Sequence, residues 1–286
     1  MEVVLPDVEL ITESNYAKKI EICGRVCYKS EDKITETSSK KMIKYLMQEK
    51  HTSVFEHYRV VIETSDLLIN LKKNRFVDKG YDWSKYKHVY STNFRALIEI
   101  FDNYDPTDDP FQESEVMLEV YHQLQKQYPI VFSKEMVYPE DLDEGSVTIY
   151  EDPDYATFRI TCDRSISHQI VRHRAMSFSQ ESQRYCNYGK KGLKIIESGL
   201  CGWRRILLHS AVRFSELVYN GLLKCKVKPQ QARLVLPNIT KTEIMVTARR
   251  EDWDWFLHLR ADEKHADPRI VVIARKIKEI LKEKVC

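Results

Sequence analysis

A chain of 286 residues, 43% hydrophobic and 31% charged, has the balance of a folded globular protein and the length of one large domain, or of one domain carrying a sizeable insertion. No apolar run approaches the roughly 20 residues that cross a bilayer. The first residues include acidic groups where a signal peptide would be basic, and a cytoplasmic location is the expectation. The seven cysteines are scattered, only Cys23 and Cys27 lying close, so reduced packing thiols are expected and no metal site.

In chain order, a short strand is followed by helices predicted over residues 15–26 and 37–48, where Ala17, Ile20, Val26, Met42, Ile43, Leu46 and Met47 recur near helical spacing. Residues 58–64 (YRVVIET) and 157–161 (TFRIT) are short and β-branched, and read as strands. Between them, residues 65–152 read as a probable insertion of about 90 residues in a single domain 1–286. It holds a predicted helix at 93–101, a loop over 102–110 and a helix over about 113–128. Asp163 is placed to cap a helix running to Arg172, and residues 175–183, rich in Ser and Gln, read as a loop. Further helices are predicted at about 203–223, 252–259 and 268–284, the last with an apolar stripe of packing residues.

The net charge of +2 hides an asymmetry. Residues 102–154 carry fifteen Asp/Glu against two Lys/Arg, and residues 161–205 carry nine Lys/Arg against three Asp/Glu. Two solvated faces would account for this, as would an anion site in the second stretch. With eight glycines and no Gly-rich phosphate loop, a nucleotide would be held by arginine forks or helix N-termini. Arg172 and Arg174 supply such forks within a short segment, with Arg184 just beyond, an imidazole from His173 and an amide from Gln169. Cations so close repel by on the order of 1 kcal/mol per pair at surface dielectric, which an anionic ligand would relieve. Ser182 lacks the Gly-x-Ser-x-Gly elbow of an acyl-transfer nucleophile.

Arg172-His173-Arg174, seven residues and then Ser182, within SHQIVRHRAMSFSQESQRYC (residues 167–186), resembles the signature of the flavin-dependent thymidylate synthases, the ThyX family. Residues 24–31 (GRVCYKSE), 51–58 (HTSVFEHY), 229–239 (PQQARLVLPNI) and 256–263 (FLHLRADE) resemble it in the expected order. The resemblance implies a mixed α/β subunit with an antiparallel sheet flanked by helices, assembled as a homotetramer with sites shared between subunits. FAD would lie against His57, Arg172, His173, Arg174 and Ala175. The substrate, deoxyuridine monophosphate (dUMP), would be held by Gln169, Arg172 and Arg233, and by Gln180, Glu181, Ser182, Gln183 and Arg184 of a neighbouring subunit. Arg260 would face the uracil and stabilise charge at its N3 edge. NADPH and 5,10-methylenetetrahydrofolate would be co-substrates, and dTMP the product.

Arg260 and Ser182 are thus the candidate catalytic residues, Ser182 for substrate hydrogen bonding in preference to covalent attack, because a serine needs an adjacent base. No proline precedes a cysteine, unlike the nucleophile pair of conventional thymidylate synthases. The family's flavin-contacting Asn-x-Arg element has no asparagine in its usual place, residues 246–256 (VTARREDWDWF). Residues 91–98 (STNFRALI) resemble that element, which nominates Asn93 and Arg95, an ordinary helix start being the other reading. A nucleic-acid-binding protein using residues 161–205 is the alternative function, and an inactive homologue a third.

Overall fold

Apolar and polar residues alternate along residues 158–163, and Ile244, Val246 and Ala248 recur at the same period of two, which builds the sheet that carries the site. The computed structural model describes residues 1–72, 77–82, 84, 86–105, 114–138, 142 and 146–283. Part of the predicted acidic loop, the first residue of the predicted 113–128 helix and the last of the 268–284 helix lie outside them.

The first third gives β1 (Glu2–Val4), β2 (Asp7–Leu10), α1 (Tyr16–Tyr28), α2 (Ser38–Gln48) and β3 (Arg59–Thr64). Next come α3 (Ile69–Lys72), β4 (Asp78–Asp82), β5 (Lys87–Asn93), α4 (Phe94–Asp102), α5 (Ser114–Gln127) and β6 (Thr148–Glu151). The remainder gives β7 (Tyr155–Asp163), α6 (Arg164–Ile170), β8 (Ser177–Gln180), α7 (Tyr188–Lys191), β9 (Lys194–Ile196), α8 (Gly202–Lys224), α9 (Pro229–Ala232), β10 (Lys241–Arg249), α10 (Arg250–Arg260) and α11 (Pro268–Glu283). The fold is mixed α/β, as expected, and two of its sheets are four-stranded. Among the described residues no helix is long and apolar enough to cross a membrane.

The chain divides into two compact units. One comprises Met1–Thr12, Arg25–Asp32 and Ala156–Cys286. Its sheet has the order β2-β7-β10-β8, with β2 antiparallel to β7 (Val8 opposite Ile160) and β8 antiparallel to β10 (Phe178 opposite Val246). Phe158, Ile160 and Cys162 of β7 and Ile244, Val246 and Ala248 of β10 face α6, α10 and α11, whose Ile166, Ile170, Trp253, Phe256, Ile270, Ile273 and Ile277 complete the core. The intervening residues carry polar pairs: Thr157 and Thr247 hydroxyls meet at 2.7 Å, and Arg159 meets Glu31 at 2.9 Å and Glu243 at 3.0 Å. Burying large apolar side chains contributes roughly 1.5–3 kcal/mol each, so this layer is what holds α6 and α10 in place. A smaller core around Tyr188, Ile195, Val212 and Tyr219 seats α8, and β1 pairs with β9 in parallel.

The other unit comprises Glu13–Gly24 and Lys33–Tyr155. Its sheet has the order β4-β5-β3-β6, all pairs antiparallel, so strands within residues 65–152 complete the sheet around β3. Tyr16, Tyr58, Phe94 and Tyr128 pack edge to face beside it, Phe94 and Tyr128 at 4.8 Å between ring centroids. A Cβ on Gly24 would come within 3.0 Å of Met42, so glycine lets α1 and α2 approach.

Two sequence readings are corrected. The helix predicted through Arg172 ends at Ile170; tight turns follow, with His173 N–H donating to Ile170 O and Met176 N–H to His173 O. Residues 177–180, read as loop, form edge strand β8, whose Gln180 side chain donates to Ser167 Oγ at 2.7 Å and Thr242 Oγ1 at 3.2 Å. Polar side chains with partners on neighbouring elements make a strand that carries no apolar signature.

Candidate active site

Asp163 ends β7 and caps α6: its carboxylate accepts from Ile166 N–H at 3.0 Å and pairs with Arg269 at 2.9 Å. This fixes the short helix that carries Gln169 and delivers the chain to Arg172, His173, Arg174 and Ala175. Opposite lies α10, anchored by buried Trp253 and Phe256, the Trp253 indole N–H donating to Ala156 O at 3.1 Å. Between the two lies a cavity of about 520 Å³ lined by Arg172, His173, Arg174, Ala175 and Met176 on one side and by Asp252, Trp255, Leu259 and Arg260 on the other.

Arg260 Nε–H donates to His173 Nε2 at 3.1 Å, and an Nη of the same guanidinium reaches Gln169 O at 3.4 Å. An arginine only donates, so Nε2 of His173 is an unprotonated acceptor and the neutral ring carries its proton on Nδ1. Burial, then Arg260, then Arg172 push the His173 pKa down, in agreement with that tautomer. Burial and then Arg172 also push the Arg260 pKa down. Arg172 and Arg174 are exposed, and among the described residues neither makes an ion pair. Arg172, Arg174 and Arg260 thus gather at one cavity, whose lining includes a single carboxylate, Asp252. Trp255 is 58% exposed despite its size, and with Leu259 it offers an apolar wall to a planar ring. Clustered guanidinium donors beside such a wall fit a phosphorylated compound with a flat ring system, as FAD and a pyrimidine nucleotide both are.

Arg172, His173, Arg174 and Ala175 come from the sequence motif and Arg260 from the separate segment 256–263, and the fold brings all five onto this one cavity. Asp252, Trp255, Leu259 and Met176 escaped the sequence reading. The first three recur at i, i+3 and i+7 beside buried Trp253 and Phe256, a helical-face signal that was available. Gln169 reaches Asp267 Oδ2 at 3.5 Å, and Arg233 opens a half-buried 3₁₀ turn, Arg233–Val235.

Ser182 Oγ accepts from Arg184 N–H at 3.2 Å, and no base is bonded to it among the described residues. Gln183 is half-buried and Arg184 exposed over the Tyr185 ring. Glu181 is 1% exposed and paired inside the protein. In the other unit, His57 is fully buried, its pKa pushed down to about 3 by burial and then by Lys19. There Asn93 caps α4, accepting from Ala96 N–H at 2.9 Å, and Arg95 pairs with Glu56 at 2.6 Å and Glu99 at 2.7 Å.

Fold and cavity together define an α/β protein with an arginine-rich cavity walled by Trp255 and Leu259. The family model of the Thymidylate synthase complementing proteins matches residues 9–71 and 138–285, and the chain belongs to that family. A flavin-dependent thymidylate synthase of Corynebacterium diphtheriae is 31% identical over 198 residues, 62% of this chain and 78% of that protein. The enzyme of the same description from Mycobacterium tuberculosis is 34% identical over 146 residues, covering 45% of this chain and 58% of its own length. One from Corynebacterium efficiens is 38% identical over 136 residues, 42% and 54% of the two chains. Against the last two, therefore, the match spans a little over half of the relative's length. Among solved structures, a UMP/dUMP methylase PolB from Streptomyces cacaoi bound with 5-Br dUMP aligns over 99% of this chain and 93% of its own, at 17% identity and a TM-score of 0.44. None of these matches supports the nucleic-acid-binding alternative.

Proposed function

We propose that this chain is a flavin-dependent thymidylate synthase that methylates dUMP to dTMP, with FAD as cofactor and NADPH and 5,10-methylenetetrahydrofolate as co-substrates. The observation that carries this reading is the convergence of Arg172, His173, Arg174 and Ala175 with Arg260, 85 or more residues further along the chain, on one cavity. When bound, FAD supplies the hydride chemistry; the protein binds, orients and polarises.

Arg172 and Arg174 hold phosphate, with Ala175 and His173 as further flavin contacts. Arg260 is steadied through Nε and one Nη, so its remaining N–H groups stay available to hold negative charge at a uracil N3 edge. Neutral His173 adds no positive charge of its own and serves as the acceptor that orients Arg260. Ser182, whose Oγ accepts a backbone N–H, keeps its hydroxyl proton to donate to substrate. Gln169, Gln180, Gln183, Arg184 and Arg233 complete the nucleotide site, with Asn93 and Arg95 as candidate flavin contacts. Residues 65–152 are read as an insertion in a single catalytic domain 1–286, a reading supported by the family match skipping residues 72–137.

Assembly as a homotetramer with shared sites, in the cytoplasm, completes the proposal. Support for assembly comes from α8, where exposed Trp203, Leu207, Phe214 and Leu217 join Ser210 and Gly221 in a 4-3-4-3-4 spacing, an apolar seam facing away from the buried Val212 and Tyr219.

Purified protein incubated with FAD should be yellow, bleach with NADPH under anaerobic conditions, and form dTMP from dUMP and methylenetetrahydrofolate, read by mass spectrometry. Protein that stays colourless and makes no dTMP would overturn the proposal.

A further inference from the structure

The turn read above as gripping dUMP follows β8, a four-residue edge strand that is too short to fix a turn by itself. What holds it is a network centred on Glu181. Its Oε1 accepts from Tyr188 Oη at 2.8 Å and from Lys29 Nζ at 3.3 Å, while Oε2 stands 3.6 Å from Lys241 Nζ, an ion pair beyond hydrogen-bond reach. Lys29 also lies over the Tyr188 ring, 5.5 Å from its centre. Lys241 continues to Glu243, Glu243 to Arg159, and Arg159 to Glu31. The main chain is pinned at the same place: Glu181 N–H donates to Glu243 O at 2.8 Å, and Ser182 N–H to Cys27 O at 2.9 Å. Tyr185 and Cys186 N–H groups then close back on Ser182 O at 3.2 and 2.9 Å.

At 1% exposure the Glu181 carboxylate has no surface left for a ligand, and it is not among the residues lining the cavity. We propose that Glu181 is a positioning residue: through Lys29, Lys241 and Tyr188 it sets the turn that presents Ser182, Gln183 and Arg184 to the nucleotide, and it does not touch the nucleotide itself. The inference rests on the thymidylate synthase reading. Physically, a carboxylate between two partly buried lysines is worth more as a register device than as a source of stability. Removing its charge takes away the carboxylate that Lys29 and Lys241 share, and the turn held there relaxes.

The test is a double-mutant cycle on the FAD-loaded enzyme, measuring kcat and KM for dUMP together with flavin absorbance per chain. Glu181→Gln should raise KM for dUMP about tenfold with kcat at saturating dUMP within about twofold, since binding geometry, not chemistry, is disturbed. Flavin content should not change. Lys241→Gln should raise KM as well, and the double variant should be no worse than the worse single one. An unchanged KM in Glu181→Gln overturns the proposal. So do multiplying effects, which would mean that Glu181 meets the nucleotide on its own account. Should Glu181→Gln not fold, Tyr188→Phe removes one bond to Oε1 with little change of shape; it should raise KM about threefold, and an unchanged KM again counts against the proposal. A wild-type protein that takes up neither FAD nor dUMP would instead sink the underlying functional reading.

Discussion

At the scale of single residues, the pair Arg260 and His173 sets the protonation of the cavity. With Arg260 Nε–H directed at Nε2, the imidazole is held neutral, and removing the guanidinium removes both a bonding partner and a repelling charge. Arg260→Ala should therefore raise the His173 pKa, readable by NMR titration of its ring protons. The same variant should keep FAD absorbance while dTMP formation falls by several orders of magnitude, as loss of a charge-stabilising donor does. His57 gives a second pH effect. Its folded pKa, about 3, lies below the ordinary value of 6.5, so its neutral form is the folded one. The stability it contributes is complete above pH 6.5 and is lost as pH falls toward 3, at about 1.4 kcal/mol per pH unit. Between pH 7 and pH 5 urea unfolding should show a loss of about 2 kcal/mol that His57→Gln does not show.

At the scale of elements, helix caps carry the site. Asp163 both caps α6 and neutralises Arg269, so Asp163→Ala should lower stability by about 2–3 kcal/mol in urea melts and weaken both ligands by loosening residues 169–175. Asn93→Ala should cost about 1 kcal/mol from the cap on α4. If FAD affinity stays unchanged in that variant, the idea that Asn93 replaces the family's flavin-contacting asparagine is lost. Asp163 was legible because a cap is a local signal, an acidic residue just before an apolar helical run. β7 was legible because β-branched residues alternate along it. β8 was not: Ser177, Ser179 and Gln180 become strand only because Ser167 on α6 and the distant Thr242 accept from the Gln180 amide and β10 offers its edge. The cavity divided the same way. Arg172, His173 and Arg174 announced themselves as a cluster, whereas Trp255 resembles one more core tryptophan until Trp253 is seen to occupy the core.

At the scale of the whole molecule, α8 carries an apolar face that the described residues leave exposed. Its buried face seats on the core around Tyr219, while Phe214 at 66% and Leu217 at 68% exposure face outward. If that seam meets a second copy and the sites are shared as proposed, Phe214→Glu with Leu217→Glu should shift the protein to a smaller species by light scattering, with dTMP formation falling in parallel. Retained mass with full activity would remove α8 from the assembly.

The exposed Arg172 and Arg174 guanidinium groups at the cavity also make the protein a sink for whatever small anions surround it. Sulfate or inorganic phosphate at tens of millimolar would occupy the same forks that a nucleotide uses. Binding constants measured in phosphate-buffered solution should accordingly read weaker than those in a zwitterionic buffer of equal ionic strength, and crystals grown from sulfate should carry that ion beside Arg172 and Arg174.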